Sequence, residues 1–414
     1  MSDRAPAQVE LVIDSDDELD GDYEDPGALT PDAVTGSVVY TVDWTVASVV
    51  DQIDADPDDP TSQGVLVTAP PFQRRTAWTD ERQGLFIESL MLGLPIPPLV
   101  LAESMRHEGQ FYVLDGKQRL TALQRFFDKN DPLRLRGLEI LKTELAGATL
   151  AEIQNSGDLR KYARALSTQP IRTVVVRNWK TPSLLHLIFS RLNKASVPLA
   201  SHELRQAIFP GRLTNFVNKT SGTSAPLLRA RRLTEPDFRL RDAETLLRYT
   251  AFRTNVSKYS GDLRDFLDRV LKGGNEHYEE IESDLTNLVL GMERAIDATF
   301  EIFGNAAFLR FDPERGQYLP RFNVAVFDTI TWYLADETLA HSAVARKQSV
   351  VEAFETLCTN DPVFSSYLTA TTKTKDATIG RLSRWGTALG DALGVKLQYE
   401  NFVTPFLPIA PRQH

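Results

Sequence analysis

The spacing of apolar residues changes along the chain. Between residues 38 and 176, short runs rich in β-branched residues alternate with segments whose apolar residues recur every three or four positions. The runs predict strands, and the segments predict helices. From about residue 211 to 395 the spacing is mostly helical. The pattern therefore predicts an α+β fold, in which a small mixed-sheet N-terminal domain precedes a mainly helical C-terminal domain.

Local signals place the elements of the N-terminal domain. Thr79 is expected to cap a helix whose first turn is acidic, and Thr181 with Pro182 to begin another. The segment from Trp44 to Ile53 has helical spacing, so we expect a helix that includes Trp44. The stretch from about 130 to 168 has no clear pattern. Four runs are expected to form strands, at 65–70, 99–102, 111–114 and 171–176.

The charge of the chain is concentrated at its start. The 414 residues carry a net charge of −10, but residues 1–64 contain 17 acidic side chains and one basic one. Such a run repels itself and has little apolar surface to bury, so a disordered acidic tail is expected over residues 1–37. It is either a solubilising tail or a mimic of nucleic acid that covers a basic groove of the same chain.

Composition excludes several classes of protein. No apolar run approaches the roughly 20 residues that cross a bilayer, so no membrane partner is expected. The N-terminus lacks the basic and apolar regions of a secretory signal. A single cysteine, Cys358, cannot form an internal disulfide or anchor a zinc site by itself. We therefore expect a soluble, reduced, cytoplasmic protein.

The most informative segment is FYVLDGKQRLTALQRFF, in which a strand is followed by an Asp-Gly turn and a helix. Amide groups at a helix start carry about half a positive charge, and Gly116 permits close approach of a phosphate. Lys117 and Arg119 add positive charge in the first turn. Asp115 can bind a metal, orient a water molecule or pair with Arg119. The alternative is an ordinary turn that is closed by an ion pair.

Two further segments carry candidate residues. PPFQRRTAW contains Gln73, Arg74 and Trp78; arginine suits phosphate, and tryptophan offers a face on which a base can stack. Its alternative is a solvated edge anchored by the Trp78 ring. FSRLNKASVPLASHELRQAIFPG places Arg191 and Asn193 at the end of a helix. Its alternative is a plain joint between two helices.

These segments together resemble a known family. FQRRTAW, LFIESLMLGLPIPPLVL, VLDGKQRLTALQRF and IFSRLNKASVPLASHELRQAIFPG, in that order, are similar to the N-terminal domain of GmrSD-type, modification-dependent restriction endonucleases. That domain belongs to the ParB-like and sulfiredoxin-like superfamily. The resemblance spans about residues 40–255. It departs from the family's Asp-Gly-Gln-Gln-Arg hallmark at Lys117, which replaces the first Gln.

The resemblance implies binding of a nucleoside triphosphate, GTP or ATP with Mg²⁺, often with hydrolysis, in proteins that restrict modified or foreign DNA. It implies a ParB-like nucleotide-binding domain over 38–180 and a helical domain over 181–414. It also implies DNA and a separate nuclease subunit as partners, since the six scattered histidines form no HNH motif. Asp115 and Arg119 are expected to be catalytic, with Asp115 also holding the metal. The expected nucleotide-binding residues are Gln73, Arg74, Trp78, Gly116, Lys117, Gln118, Arg191 and Asn193.

Three functions compete at this point. The first is a nucleoside triphosphatase of a restriction or anti-phage defence system. The second is a metal-dependent DNA nuclease, in which Asp115 or Glu88 binds the metal. The third is a non-catalytic DNA-binding adaptor, which would use the eight basic residues between Arg205 and Arg241. The alternative for that last segment is a solvated surface with internal ion pairs. The segment PRFNVAVFD is interpreted as a packing helix.

Overall fold

The computed structural model describes residues 36–53, 65–67, 78–105, 109–193, 201–237, 239–369 and 374–411. The acidic tail expected over residues 1–37 lies outside the described residues except for its last two positions. Gln73 and Arg74 also lie outside them, as do the side chains of Asn193 and Glu203.

A five-stranded mixed sheet forms the centre of the N-terminal part. Its order is β1–β5–β3–β4–β2. β1 and β5 are antiparallel, β5 and β3 are parallel, β3 and β4 are antiparallel, and β4 and β2 are parallel. The sheet and the mainly helical C-terminal part confirm the predicted α+β class. The strands are β1 (Val38–Thr45), β2 (Leu66–Val67), β3 (Leu99–Glu103), β4 (Phe111–Asp115) and β5 (Pro170–Arg177).

The helix expected to include Trp44 begins later. Trp44 lies in β1, which pairs with β5 over its full length, from Val38 opposite Arg177 to Thr45 opposite Pro170. Helix α1 (Val46–Gln52) starts only after Thr45, whose hydroxyl accepts a hydrogen bond from the Ser48 amide at 3.1 Å. Pairing with a long strand far away in sequence therefore overrides the helical spacing of this segment.

Helices cover both faces of the sheet. On one face, α2 (Asp80–Met91) and α3 (Lys117–Phe127) form as predicted, and three short helices fill the stretch that had no clear pattern. Those are α4 (Lys142–Leu145), α5 (Leu150–Asn155) and α6 (Arg160–Thr168). On the other face, α7 (Pro182–Asn193) and α8 (Ser201–Ile208) pack against Tyr112 and Leu114 of β4. The boundary predicted at residue 180 stays a prediction, but packing on the sheet continues past it.

The C-terminal part has its own large core. The helices are α9 (Arg212–Thr223), α10 (Ala225–Ala230), α11 (Arg241–Asn255), α12 (Leu263–Glu276), α13 (Tyr278–Phe303), α14 (Val324–Leu334), α15 (Glu337–Ala345), α16 (Lys347–Asn360), α17 (Pro362–Tyr367) and α18 (Lys375–Leu393). A hairpin of β6 (Leu309–Asp312) and β7 (Gln317–Phe322) interrupts them. No helix in the described part of the chain is long and apolar enough to cross a membrane.

Helix α14 confirms the interpretation of PRFNVAVFD as a packing helix. The side chain of Asn323 caps it by accepting a hydrogen bond from the Val326 amide at 2.9 Å. Every residue from Ala325 to Leu334 is buried, because neighbouring helices of the C-terminal core surround α14. One member of this buried run, Asp328, is charged.

Candidate functional site

The strand, turn and helix of the DGKQR motif adopt the predicted geometry. β4 ends at Asp115, and α3 begins at Lys117. Gly116 joins them with φ +107°, in the left-handed region, and its carbonyl accepts from the Leu120 amide at 3.0 Å as the first bond of the helix. Amides in the first turn of a helix have no acceptor within the helix and favour anions. The Asp115 side chain is about one-third exposed, at 32%, so a ligand can reach it.

Glycine is required at position 116 for two reasons. A side chain would strain a backbone with φ +107°, and a Cβ atom would lie 2.3 Å from Cδ2 of Leu99 on β3. The absence of a side chain therefore lets α3 begin directly against the sheet, with Asp115 beside its first turn.

Replacing Gly116 by alanine is expected to destabilise the protein by about 2 kcal/mol or more, because strain and overlap with Leu99 add together. The matched control is Gly147→Ala, where φ is +78° and no atom lies within 4 Å of the new Cβ. The Gly147→Ala substitution should lower the free energy of unfolding by about 1 kcal/mol, because it adds backbone strain but no steric overlap. Urea denaturation measures both, and equal losses would contradict the close contact.

Arg119 holds the turn rather than facing solvent. Its side chain is 9% exposed, and Nη2 donates to Oδ2 of Asp115 at 2.8 Å. Nη1 donates to the carbonyl of Pro98 at 3.1 Å and also to that of Pro97. The guanidinium therefore joins the Asp115 carboxylate to the loop before β3. This arrangement favours Arg119 as a positioning residue for Asp115, and the catalytic role expected for Arg119 stays a prediction.

Trp78 lies beside the start of α3, so the structure brings two sequence-predicted segments together. Its backbone amide donates to Oε1 of Gln118 at 3.4 Å. Its ring packs edge-on against Phe86, with 5.7 Å between centroids, and the guanidinium of Arg82 lies 5.1 Å from its centre. Trp78 therefore lies next to the DGKQR turn.

A comparison with known families identifies this arrangement. Residues 58–210, just over a third of the chain, match the family model described as the GmrSD restriction endonuclease, N-terminal domain. The chain thus includes a segment similar to this domain, and that segment is called the GmrSD-type domain below. No curated protein and no solved structure shows a significant match to the chain. The domain associates the protein with restriction-related defence.

The structure gives fewer contacts for the other residues that were predicted to bind nucleotide. Lys117 and Gln118 are half-buried in the first turn of α3. Arg191 is exposed near the end of α7, and the described contacts do not join it to the Asp115 turn. Asn193 ends the same helix. The predicted roles of Arg191, Asn193, Gln73 and Arg74 in nucleotide binding stay predictions.

Glu88 is excluded as a metal ligand. It is 4% exposed, and its carboxylate accepts hydrogen bonds from the amides of Glu139, Ile140 and Leu141 at 3.1, 2.9 and 2.7 Å. The expectation that Glu88 serves a nuclease site is therefore wrong, since its oxygens hold a loop in place. The described residues contain no group of three or more His, Cys, Asp or Glu side chains that can hold a metal ion.

The basic segment from Arg205 to Arg241 is not a free cationic surface. Four of its arginines are paired with carboxylates: Arg205 with Asp268, Arg212 with Glu279, Arg229 with Asp297, and Arg241 with Asp237. Arg232 donates to the carbonyl of Asn305 at 2.7 Å. The alternative of ion pairs thus holds for four of the eight basic residues of this segment, which weakens the adaptor hypothesis.

Sequence reasoning missed Gln83. This residue is 1% exposed, and its Nε2 donates to the carbonyl of Trp78 at 3.0 Å while its Oε1 accepts from Nη1 of Arg125 at 2.8 Å. It therefore fixes Trp78 to α2 and α3. A signal was available, because Gln83 is a polar residue in the same helical stripe as the apolar Phe86, Ile87 and Leu90.

Proposed function

We propose that the GmrSD-type domain binds a nucleoside triphosphate, GTP or ATP, at the turn from Asp115 to Gln118 and hydrolyses it in a restriction or anti-phage defence system. One observation carries the proposal. The left-handed Gly116 places a partly exposed carboxylate, the start of α3 and Trp78 at one point of the domain.

The phosphates would lie at the first turn of α3. The amides there and the ammonium group of Lys117 favour negative charge. Trp78, whose amide is bonded to Gln118, would offer its ring to the base, and Gln73 and Arg74 are further proposed contacts. The motif uses lysine where the family hallmark has glutamine, so the site gains one positive charge.

Asp115 is the proposed catalytic carboxylate. Arg119 engages its Oδ2, which fixes the orientation of the group, and Oδ1 is the oxygen that we propose contacts a water molecule or a metal. One carboxylate suits Mg²⁺ that arrives with nucleotide phosphates, because Mg²⁺ commonly combines one or two carboxylates with phosphates and water. When bound, Mg²⁺ would neutralise phosphate charge. Arg119 contributes by holding Asp115 in place.

Nucleotide binding is expected to raise the stability of the wild-type protein. A ligand at about 100 times its dissociation constant adds roughly 2.7 kcal/mol, measured as a shift in thermal or urea unfolding. Lys117→Ala should weaken the affinity about tenfold through loss of a charged phosphate contact. Lys129→Ala, at an exposed lysine just beyond α3, is the control and should leave it unchanged. No shift with a full panel of nucleotides would refute the proposal.

The two competing functions have weaker support. Two carboxylates were candidates for the metal ligand of a nuclease, Asp115 and Glu88. Because the Glu88 carboxylate binds backbone amides of a loop, only Asp115 of this pair is left for that role. The adaptor would need the basic surface between Arg205 and Arg241, in which four of the eight basic residues are already paired with carboxylates. DNA and a separate nuclease subunit are proposed partners of the nucleotide-dependent function.

A further inference from the structure

Both backbone polar groups of Trp78 are held by glutamine side chains. Its amide donates to Oε1 of Gln118 at 3.4 Å, and its carbonyl accepts from Nε2 of Gln83 at 3.0 Å. Gln118 belongs to the first turn of α3, and Gln83 belongs to α2. The backbone of Trp78 is therefore fixed between the two helices, next to the turn at which the phosphates are proposed to bind.

The side-chain amide of Gln83 has one orientation that satisfies its neighbours. Its Oε1 accepts from Nη1 of Arg125 at 2.8 Å, and an arginine side chain can only donate. Its Nε2 must therefore face the carbonyl of Trp78, which can only accept. The same Nη1 donates to Oδ1 of Asp80 at 2.8 Å, so Arg125 is itself held by the first turn of α2.

Burial makes this orientation of the Gln83 amide hard to change. Gln83 is 1% exposed, and a buried amide that loses a hydrogen-bond partner destabilises the fold. Rotation of the amide by half a turn would bring its nitrogen against the guanidinium of Arg125 and its oxygen against the carbonyl of Trp78. Gln83 therefore determines where the carbonyl of Trp78 lies.

The ring of Trp78 is oriented by its neighbours and stays partly accessible. It packs against Phe86, with 5.7 Å between the centroids and 65° between the ring planes. The guanidinium of Arg82 lies over the ring, 5.1 Å from its centre, and Arg82 is exposed. Because a guanidinium is a planar group that stacks on aromatic rings, its position shows that a planar group can reach the ring from solvent. A nucleobase is also planar and stacks on tryptophan.

We propose that Gln83 is a positioning residue for the nucleobase, and that it acts by holding Trp78. This inference rests on the proposed nucleotide site and extends that site from α3 to α2. The phosphates lie at the first turn of α3, and the base stacks on the Trp78 ring, whose position Gln83 sets. Gln83 therefore contributes to the affinity for the nucleoside part of the ligand and not to the affinity for its phosphates.

Binding of GTP, ATP and inorganic triphosphate to the full chain, each with Mg²⁺, tests this division. Gln83→Met keeps the length of the side chain and removes the hydrogen bond to Trp78. It should weaken binding of both nucleotides about fivefold and leave binding of triphosphate unchanged, because triphosphate has no base. Gln124→Met, at a half-buried glutamine of α3, makes the same chemical change and should leave all three affinities unchanged.

A second substitution shows whether Gln83 acts through Trp78. Trp78→Leu keeps an apolar side chain against Phe86 but has no aromatic face, so it should weaken nucleotide binding about tenfold and leave triphosphate binding unchanged. In the Trp78→Leu protein, Gln83→Met should have no further effect on nucleotide affinity. If Gln83 only stabilised the fold, its replacement would weaken nucleotide and triphosphate binding alike.

Three results would overturn the inference: Gln83→Met binds nucleotide like wild type, it loses as much affinity for triphosphate as for nucleotide, or its effect persists in the Trp78→Leu protein. Each of these results leaves the proposed nucleotide site standing. Failure of the wild type to bind any of the three ligands would refute the proposed site together with the role of Gln83.

Discussion

Asp115→Asn is expected to lower the rate of nucleotide hydrolysis by about 100-fold or more while the protein stays folded. Asparagine retains an oxygen that can accept the hydrogen bond from Nη2 of Arg119, now 2.8 Å from the carboxylate. It loses the negative charge with which Asp115 would hold Mg²⁺ or activate water, and such groups contribute about 10²- to 10⁴-fold to rates. Release of inorganic phosphate from GTP and ATP measures the effect.

The control for that variant is Asp131→Asn, at an exposed aspartate just after α3. It changes the same net charge close to the same helix and should hydrolyse nucleotide like wild type. Binding of nucleotide to Asp115→Asn should persist, because the phosphate contacts come from Lys117 and the start of α3. Full hydrolytic activity of Asp115→Asn would remove the catalytic role and leave only a structural ion pair.

Asp268→Ala is expected to destabilise the protein by about 3–5 kcal/mol, the range for removing one partner of a buried ion pair. Asp268 lies on α12, with Oδ1 2.9 Å from Nε of Arg205 and Oδ2 3.3 Å from Nε2 of His186. Arg205 is 0% exposed. Oε2 of Glu244 lies 3.8 Å from Nη1 of Arg205, so this longer ion pair is expected to compensate for the loss of Asp268 only in part. Urea denaturation measures the loss.

The pH dependence of that loss follows from the surroundings of Asp268. Burial by itself would raise the pKa of Asp268, but His186 and Arg205 outweigh it and hold the pKa below its ordinary value. The carboxylate therefore stabilises the fold above the unfolded-state pKa, about 3.9, and this contribution is lost as the pH falls through the lower folded-state pKa. The difference between wild type and Asp268→Ala should shrink at acidic pH.

A surface ion pair provides the comparison for Asp268. Asp297 pairs with Arg229 at 2.6 Å, and both side chains are about half exposed, at 55% and 51%. Asp297→Ala should cost less than about 1 kcal/mol, because solvent screens the pair. Similar losses for the two variants would show that Asp268 contributes no more than an exposed charge. Asp268 also connects two parts of the protein. Through His186 and Arg205 it joins α7 and α8, which pack on the sheet of the GmrSD-type domain, to α12 of the C-terminal part.

The sequence by itself determined the features that local chemistry controls. The apolar runs at 99–102 and 111–114 and the β-branched run at 171–176 became β3, β4 and β5, and Thr79 caps α2 as expected. The Asp-Gly turn was predictable because few residues other than glycine adopt its backbone. The apolar run after Asn323 became a buried helix. In each case the signal and its structural consequence lie within a few residues of each other.

Only the tertiary structure decided which polar residues are accessible. In the sequence, charged residues that bind ligands cannot be distinguished from those that bind other parts of the protein. The structure shows that Arg119, Glu88 and several arginines between 205 and 241 contact loops or carboxylates elsewhere in the chain. Trp44 lies in a strand because β1 pairs with β5, which is far away in the sequence. The buried Asp328 is paired with Arg248 and Arg381, which come from two other helices. Contacts between distant residues leave no local period or spacing, so the sequence pattern cannot reveal them.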